Sequence, residues 1–333
     1  MFSLMNLLIL SGKAMKIIKN TRVLCFNLVG IFLFLMLWSC GGGESQKFSD
    51  TPTNGKIKVG IDDSYRLLSE AEVYAFEAIY KYTKIETQFK TEADVINDFM
   101  NDSVPLIIVN RMLSGQQVAY LRERQYIPKT TKIAIDAIAL IVNRENPDTS
   151  LFFNTVREIF EGKITSWNQI DKKTKLKDLR VVFDNFKSGN PRYFQEKFKL
   201  GSFPSTCFAV QSNEEVINYV ENNVNAIGVI SVNWISDPAD TISHNFLKRF
   251  KVVGVALEGD NDPDTKFYRP FPGYIAEGSY PFTRDVYCIN RQPYRGLAYG
   301  FSSFIAGEKG QFIVLHSGLV PAAMPVRLVE IKH

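Results

Sequence analysis

Histidine and cysteine are scarce in this 333-residue chain, which has three histidines (His244, His316, His333) and four cysteines. That scarcity argues against a His/Cys metal centre. Surplus charge of one sign is missing too. The net charge of +4 comes wholly from residues 1–39, which carry Lys13, Lys16, Lys19 and Arg22 and no acidic residue. The remainder balances 35 basic against 35 acidic side chains. A nucleic-acid binder needs an excess of Lys and Arg to release phosphate counterions, so that class is excluded. There is no G-x-S-x-G, H-E-x-x-H, G-x-x-x-x-G-K or G-x-G-x-x-G arrangement, and no His beside a plausible nucleophile. An enzyme is therefore the weakest reading, and no cofactor is implied. What is present is a 45% hydrophobic, 22% charged composition. It suits a folded chain with a substantial core, of two domains at about 150 residues each. Aromatic residues reach 13%, but their even scatter marks packing rather than a sugar-stacking platform.

The N-terminus reads as a secretory leader. A basic stretch, Lys13 to Arg22, precedes an apolar run of 16 residues from Val23 to Trp38, short of the about 20 residues that span a bilayer. A retained signal anchor is the alternative. Leu37 at −3 and the small Ser39 at −1 before Cys40 resemble a bacterial lipobox, in which Cys40 is lipidated after cleavage. Trp38 at −2 departs from that pattern, and either Met1 or Met15 can be the start. The leader is thus 1–39, and the Gly- and polar-rich stretch 40–55 is a flexible tether. A lipid anchor of this kind holds a soluble body on the periplasmic face of a membrane. Cys207 and Cys288 sit in apolar strand-like contexts, where buried free thiols are expected over a disulfide.

From Ile57 onward short apolar runs alternate with amphipathic helices. Lys56–Ile61 reads as a strand into the turn Asp62-Asp63-Ser64, and a helix follows with Val73, Phe76, Tyr80 and Thr83 on one face. Thr91 with Asp94, and Ser114 with Gln117, read as helix starts. Pro105–Val109 is a buried strand, and Ile133–Val142 is long and β-branched, as for a strand passing between two lobes. In the second half the pattern predicts helices over 155–161, 190–200 and after Ser212. It predicts strands over 179–183, 207–210, 226–232 and 281–289, a long loop over 259–273, and helices over 297–305 and 311–315. Trp167 and Trp234 are expected in the core, and Lys163 on the surface. Such alternation implies an α/β fold whose ligands sit at strand carboxyl ends.

Four segments carry a resemblance: Ile133-Ala-Ile-Asp136-Ala-Ile-Ala, Val142-Asn-Arg-Glu-Asn-Pro147, Ile159-Phe-Glu-Gly-Lys-Ile-Thr-Ser-Trp167-Asn and Ala226-Ile-Gly-Val-Ile. In sequence and order they resemble the phosphate-binding components of ABC importers, the PstS-like family, over roughly Lys56 to Ala323. The resemblance implies a two-lobed periplasmic-binding-protein fold of type II, each lobe a mixed sheet flanked by helices, with a hinge crossed twice. Lobe one would be 56–138 plus 282–333 and lobe two 139–281. It also implies a monomer that takes inorganic phosphate or a similar oxyanion to an ABC permease.

Phosphate recognition needs helix N-terminal amides, hydroxyls with a charged donor, and a carboxylate that accepts a hydrogen bond from the protonated anion. The turn after the first strand offers Ser64 and Tyr65 as ligand residues and Asp62 or Asp63 as the acceptor; ordinary helix capping is the competing role. Arg111, directly after a buried strand, is the leading anion-binding candidate, against pairing with a local carboxylate such as Asp62 or Asp136. Asn185, Ser188, Gly189 and Asn190 fall where the family has an Arg followed by Asp-Gly-Ser-Gly-Thr-Thr. There the Arg position is Asp184 and the Thr positions are Asn190 and Pro191. Either Arg111 replaces that charge from the opposite lobe, or the ligand is a different oxyanion or a small carboxylate, or the chain is a sensor. Asp136, inside an apolar strand, needs a partner and suits a hinge or cleft position.

Overall fold

The computed structural model describes residues 50–235, 248–262 and 264–323. The leader, Cys40 and residues 41–49 of the tether lie outside the described residues; residues 50–55, expected in the flexible tether, are folded onto the body, where Asp50 accepts from Gln292 Nε2, Tyr294 Oη and the Leu297 amide and the first strand starts at Asn54. Strand β1 (Asn54–Asp62) runs parallel to both β2 (Tyr82–Lys90) and β3 (Leu106–Val109). Strand β11 (Thr283–Asn290) pairs antiparallel with β3 on one side and with β4 (Lys129–Asn143) on the other. Beyond β4 the same sheet continues through β8 (Ala226–Ser231), β6 (Arg180–Phe183) and β7 (Cys207–Ala209), with β6 parallel to both neighbours.

Strand β4 is the element that makes the architecture two-lobed. Its first part, to Ala137, pairs with β11 and with β12 (Val320–Pro321). Its second part, from Ile138, pairs with β8 and with β9 (Phe250–Val252). Fifteen residues are too many for one small sheet, and eight of its last nine positions are buried without alternation, as in a strand covered on both faces. A separate parallel pair joins β5 (Ser150–Leu151) to β10 (Gly254–Val255). Together these elements form the two-lobed periplasmic-binding-protein fold.

Helices cover the sheets with their apolar stripes inward. Helix α1 (Arg66–Ile79) buries Leu68, Glu72 and Phe76, and Phe76 meets the rings of Tyr80, Phe301 and Phe304. Helix α2 (Glu92–Met100) is capped by Thr91, and α3 (Gly115–Glu123) by a reciprocal Ser114/Gln117 box. Helix α4 (Phe153–Phe160) and α5 (Gly189–Phe198) pack a ring cluster in which Phe160 stacks on Phe194 at 4.3 Å. Helix α6 (Asn213–Asn222) is capped by Ser212. A short α7 (Pro272–Ala276), then α8 (Leu297–Ala306) and α9 (Glu308–His316) are the last helices among the described residues.

Two expectations need correction. The first helix ends at Ile79, so Tyr80 and Thr83 do not share its face, and a whole strand, β2, follows. That strand is half exposed and mostly polar, and only Thr83 and Ile85 are buried in it, so its apolar signal is faint. The expected loop 259–273 is preceded by β9 and β10 and already starts α7. Trp167 is wholly buried and Trp234 nearly so. Cys207 and Cys288 are buried free thiols, and burial pushes both up to about 12.

Candidate functional site

Strand β1 delivers Asp62 to its carboxyl end, where a tight turn over Asp63–Tyr65 begins. The Asp62 carboxylate accepts from the Ser64 amide (3.0 Å) and from Asn110 Nδ2 (2.8 Å). Strand β6 delivers Asp184 in the same way from the other half. Asp184 accepts from Ser188 Oγ (2.7 Å) and Asn190 Nδ2 (3.0 Å), so it holds the start of α5. Both carboxylates are buried. Burial, with the nearby Glu92, pushes Asp62 up to about 7; burial pushes Asp184 up to about 6.

Gly189 lets the two halves touch. A Cβ at this position would lie 2.1 Å from Asn110 Nδ2, so any side chain would push away the amide that holds Asp62. A second contact crosses nearby: Arg192 on α5 forks onto Glu92, Nε to Oε1 at 2.6 Å and Nη2 to Oε2 at 3.0 Å. The same Nη2 donates to Asn110 Oδ1 (2.5 Å). The Ala93 amide also donates to the Lys187 carbonyl (3.2 Å).

Where β4 changes partners, Asp136 is wholly buried and fully engaged. It accepts from Tyr65 Oη (3.1 Å), Ser231 Oγ (3.0 Å) and Arg284 Nε (2.9 Å). Burial works against the Arg284 charge, but Tyr65, Asp136 and Asp62 around it hold the guanidinium above its ordinary range. Its partner is therefore Arg284, not Arg111. Arg284 has no signal in the sequence beyond being a charged residue inside an apolar return strand.

A cavity of about 300 Å³ opens between these strand ends. Asp62, Asp63, Arg66 and Thr91 line it from one half, and Asp184, Asn185, Gln211 and Ser212 from the other. Arg66 is tied to Asp63 at 2.6 Å and stacks over Phe89, and Lys90 is tied to Asp98. Of the sequence candidates, Asp62, Asp63 and Asn185 reach this cavity wall, while Ser64, Ser188 and Asn190 stand directly behind it, bonded to the two carboxylates. Tyr65 and Asp136 lie deeper. Arg111 is not brought in: its Nε sits 3.4 Å from Glu92 and its Nη1 reaches the Met112 carbonyl and Gln117. A wider pocket of about 440 Å³ beside Arg144 and Glu221 lies toward the opposite, amino ends of β6 and β8. There Arg144 donates to the Lys248 carbonyl and Arg249 holds Glu221.

A cleft between two halves, floored by strand carboxyl ends and a helix start, defines a solute-binding protein of the two-lobed class. The chain belongs to the PBP superfamily domain family, whose model matches residues 48–309. It is 23% identical over 304 residues to the phosphate-binding protein PstS of Pseudomonas aeruginosa, covering 86% of this chain and 88% of that one. It is 21% identical over 282 residues to PstS of Staphylococcus saprophyticus, covering 84% and 83%. Among solved structures it is similar to a putative phosphate ABC transporter substrate-binding protein with bound phosphate from Clostridium perfringens. That match has a TM-score of 0.67 and 22% identity, and covers 80% of this chain and all of the other. An ABC-type phosphate transport receptor from Vibrio cholerae matches at a TM-score of 0.59 and 19% identity over 81% of this chain. The resemblance read from the four sequence segments is thereby borne out.

Proposed function

We propose that this chain is the solute-capturing component of an ABC importer, and that it closes on inorganic phosphate. The observation that carries the reading is the cavity between the carboxyl ends of β1 and β6, where hydroxyl, amide and carboxyl groups of both halves converge. Cys40 anchors it by lipid on the periplasmic face, the tether lets the body reach a permease, and it works as a monomer. The two lobes divide as 56–138 plus 282–333 and 139–281, with the break in β4 as one hinge crossing. No step of chemistry is required of it. The test is thermal unfolding with phosphate or sulfate. Saturating phosphate raises the melting temperature by several degrees, since about 2.7 kcal/mol is gained at a hundredfold excess over Kd, and sulfate does not. Stabilisation by sulfate alone overturns phosphate as the ligand.

A second reading, the same fold closing on a different small anion, is favoured by one observation. Asp184 occupies the place where the resemblance implies an Arg, and Arg111 does not supply the missing charge at the cavity.

A further inference from the structure

Arg284 on β11 is a buried cation with donors to spare. Its Nε donates to Asp136 Oδ2 at 2.9 Å, and Nη2 approaches the same oxygen at 2.9 Å without the angle of a hydrogen bond. Neither Nη1 nor Nη2 has a hydrogen-bond partner, although the side chain is only 4% exposed. Leaving charged donors dry and unmatched costs more than leaving neutral ones so. The guanidinium edge that Asp136 does not use is thus shaped for a partner that is not part of the chain.

The surroundings set that edge behind the cavity, between the two strand ends. Tyr65 Oη donates to the same Asp136 oxygen at 3.1 Å, and the guanidinium carbon lies 5.8 Å from the Tyr65 ring centre. Ser64, the residue before it, keeps a buried Oγ with no partner. Asn190 Oδ1, on α5 of the other half, is likewise buried and unmatched. Burial raises both Asp62 and Asp184, and the Arg284 charge works against that rise in each, so it is felt at both strand ends. Arg66 and Lys90 line the same cavity but are more than a third exposed, and they pair with Asp63 and Asp98.

We infer that Arg284 is the charged ligand of the captured oxyanion. Its Nη1 and Nη2 donate to phosphate oxygens from the return strand β11, Ser64 Oγ adds a further donor, and Asp136 is the positioning residue that holds the guanidinium. The inference rests on the phosphate reading above. It supplies from β11 the charge that the resemblance places on the turn before α5, where this chain has Asp184. It also gives the anion a cation that offsets Asp62 and Asp184. A guanidinium already fixed by a buried carboxylate loses little further freedom when the anion arrives.

The experiment is calorimetric titration of inorganic phosphate into the full-length protein in detergent, with melting of the phosphate-free protein as the check on folding. Arg284→Gln combined with Asp136→Asn replaces the ion pair by two amides. No buried charge is stranded, and the net charge of the site is unchanged. The double variant is expected to bind phosphate at least about tenfold more weakly than wild type, because charged hydrogen bonds to the anion are lost. Arg284→Lys keeps the charge beside Asp136 but not the fork, and a loss of about tenfold is expected there too. A double variant that folds and binds as tightly as wild type overturns the inference and leaves phosphate capture standing. Should the double variant not fold, wild-type affinity in Arg284→Lys overturns the inference in the same way. Neither heat nor a rise in melting temperature when phosphate is added to the wild-type protein overturns the phosphate reading, and the inference with it.

Discussion

Glu72 sits on the inner face of α1, wholly buried, and neither carboxyl oxygen has a hydrogen-bond partner. Burial pushes it up to about 9, so it is a neutral acid in the folded protein at physiological pH. The linkage follows from the sign. The folded state keeps a proton that the unfolded chain loses near its ordinary carboxyl range. Stability therefore declines as pH rises from about 4.5 to about 9 and then levels. Glu72→Gln is expected to raise the melting temperature at pH 8 by at least about 2–4 °C, with a smaller gain at pH 5. An equal shift at both values, read by thermal denaturation, contradicts the assignment. At this same scale the candidate site was only half legible. Asp62, Ser64, Ser188 and Asn190 stood out because short polar residues after an apolar run cap helices. Glu92, Asn110 and Arg192 carried no such pattern, because their partners lie across the cleft and far along the chain.

Among the elements, α5 carries the connection between the halves. Arg192 binds Glu92 with two hydrogen bonds and Asn110 with a third, and Asn110 in turn holds Asp62. The contact thus joins the closed arrangement of the halves to the cavity floor. Arg192 is about a quarter exposed, so solvent discounts its worth. Replacing it still leaves the buried Glu92 with only the long Arg111 contact. Arg192→Ala is expected to weaken phosphate binding about tenfold, as a charged hydrogen bond contributes about 1.5–3 kcal/mol. Glu196→Ala, which removes only the exposed partner of Arg192 on its own helix, leaves the affinity unchanged. Equal effects of the two substitutions in a titration would show that the contact to Glu92 plays no part in closure. Most elements could be read from periodicity, since β1, β3, β8 and the Ser-capped helices bury regular apolar stripes. Strand β2 could not, because an exposed edge strand needs little apolar surface. Strands β9 and β10 escaped because two or three residues do not make a period.

For the molecule as a whole, the organisation turns on β4, whose two parts belong to different halves of the sheet. That strand was legible because a long run of Ile, Ala, Leu and Val fits no single small sheet. The pairing at its turning point was not, since Asp136 announces that it needs a partner but not that the partner is Arg284. Tyr65, Ser231 and Arg284 reach Asp136 from three different elements. This places a buried ion pair where the halves join, with Asp136 accepting three hydrogen bonds while Arg284 Nη1 and Nη2 make none, and Asp62 and Asp184 line the open cavity. On this reading the solute sits between the ends of β1 and β6. The most direct measurement is a crystal structure of the protein grown with phosphate. Density for the anion within hydrogen-bond distance of Asp62 and Asp184 is the predicted result. Phosphate held instead by Arg111, or an empty cavity in crystals of protein that binds phosphate in solution, would contradict it.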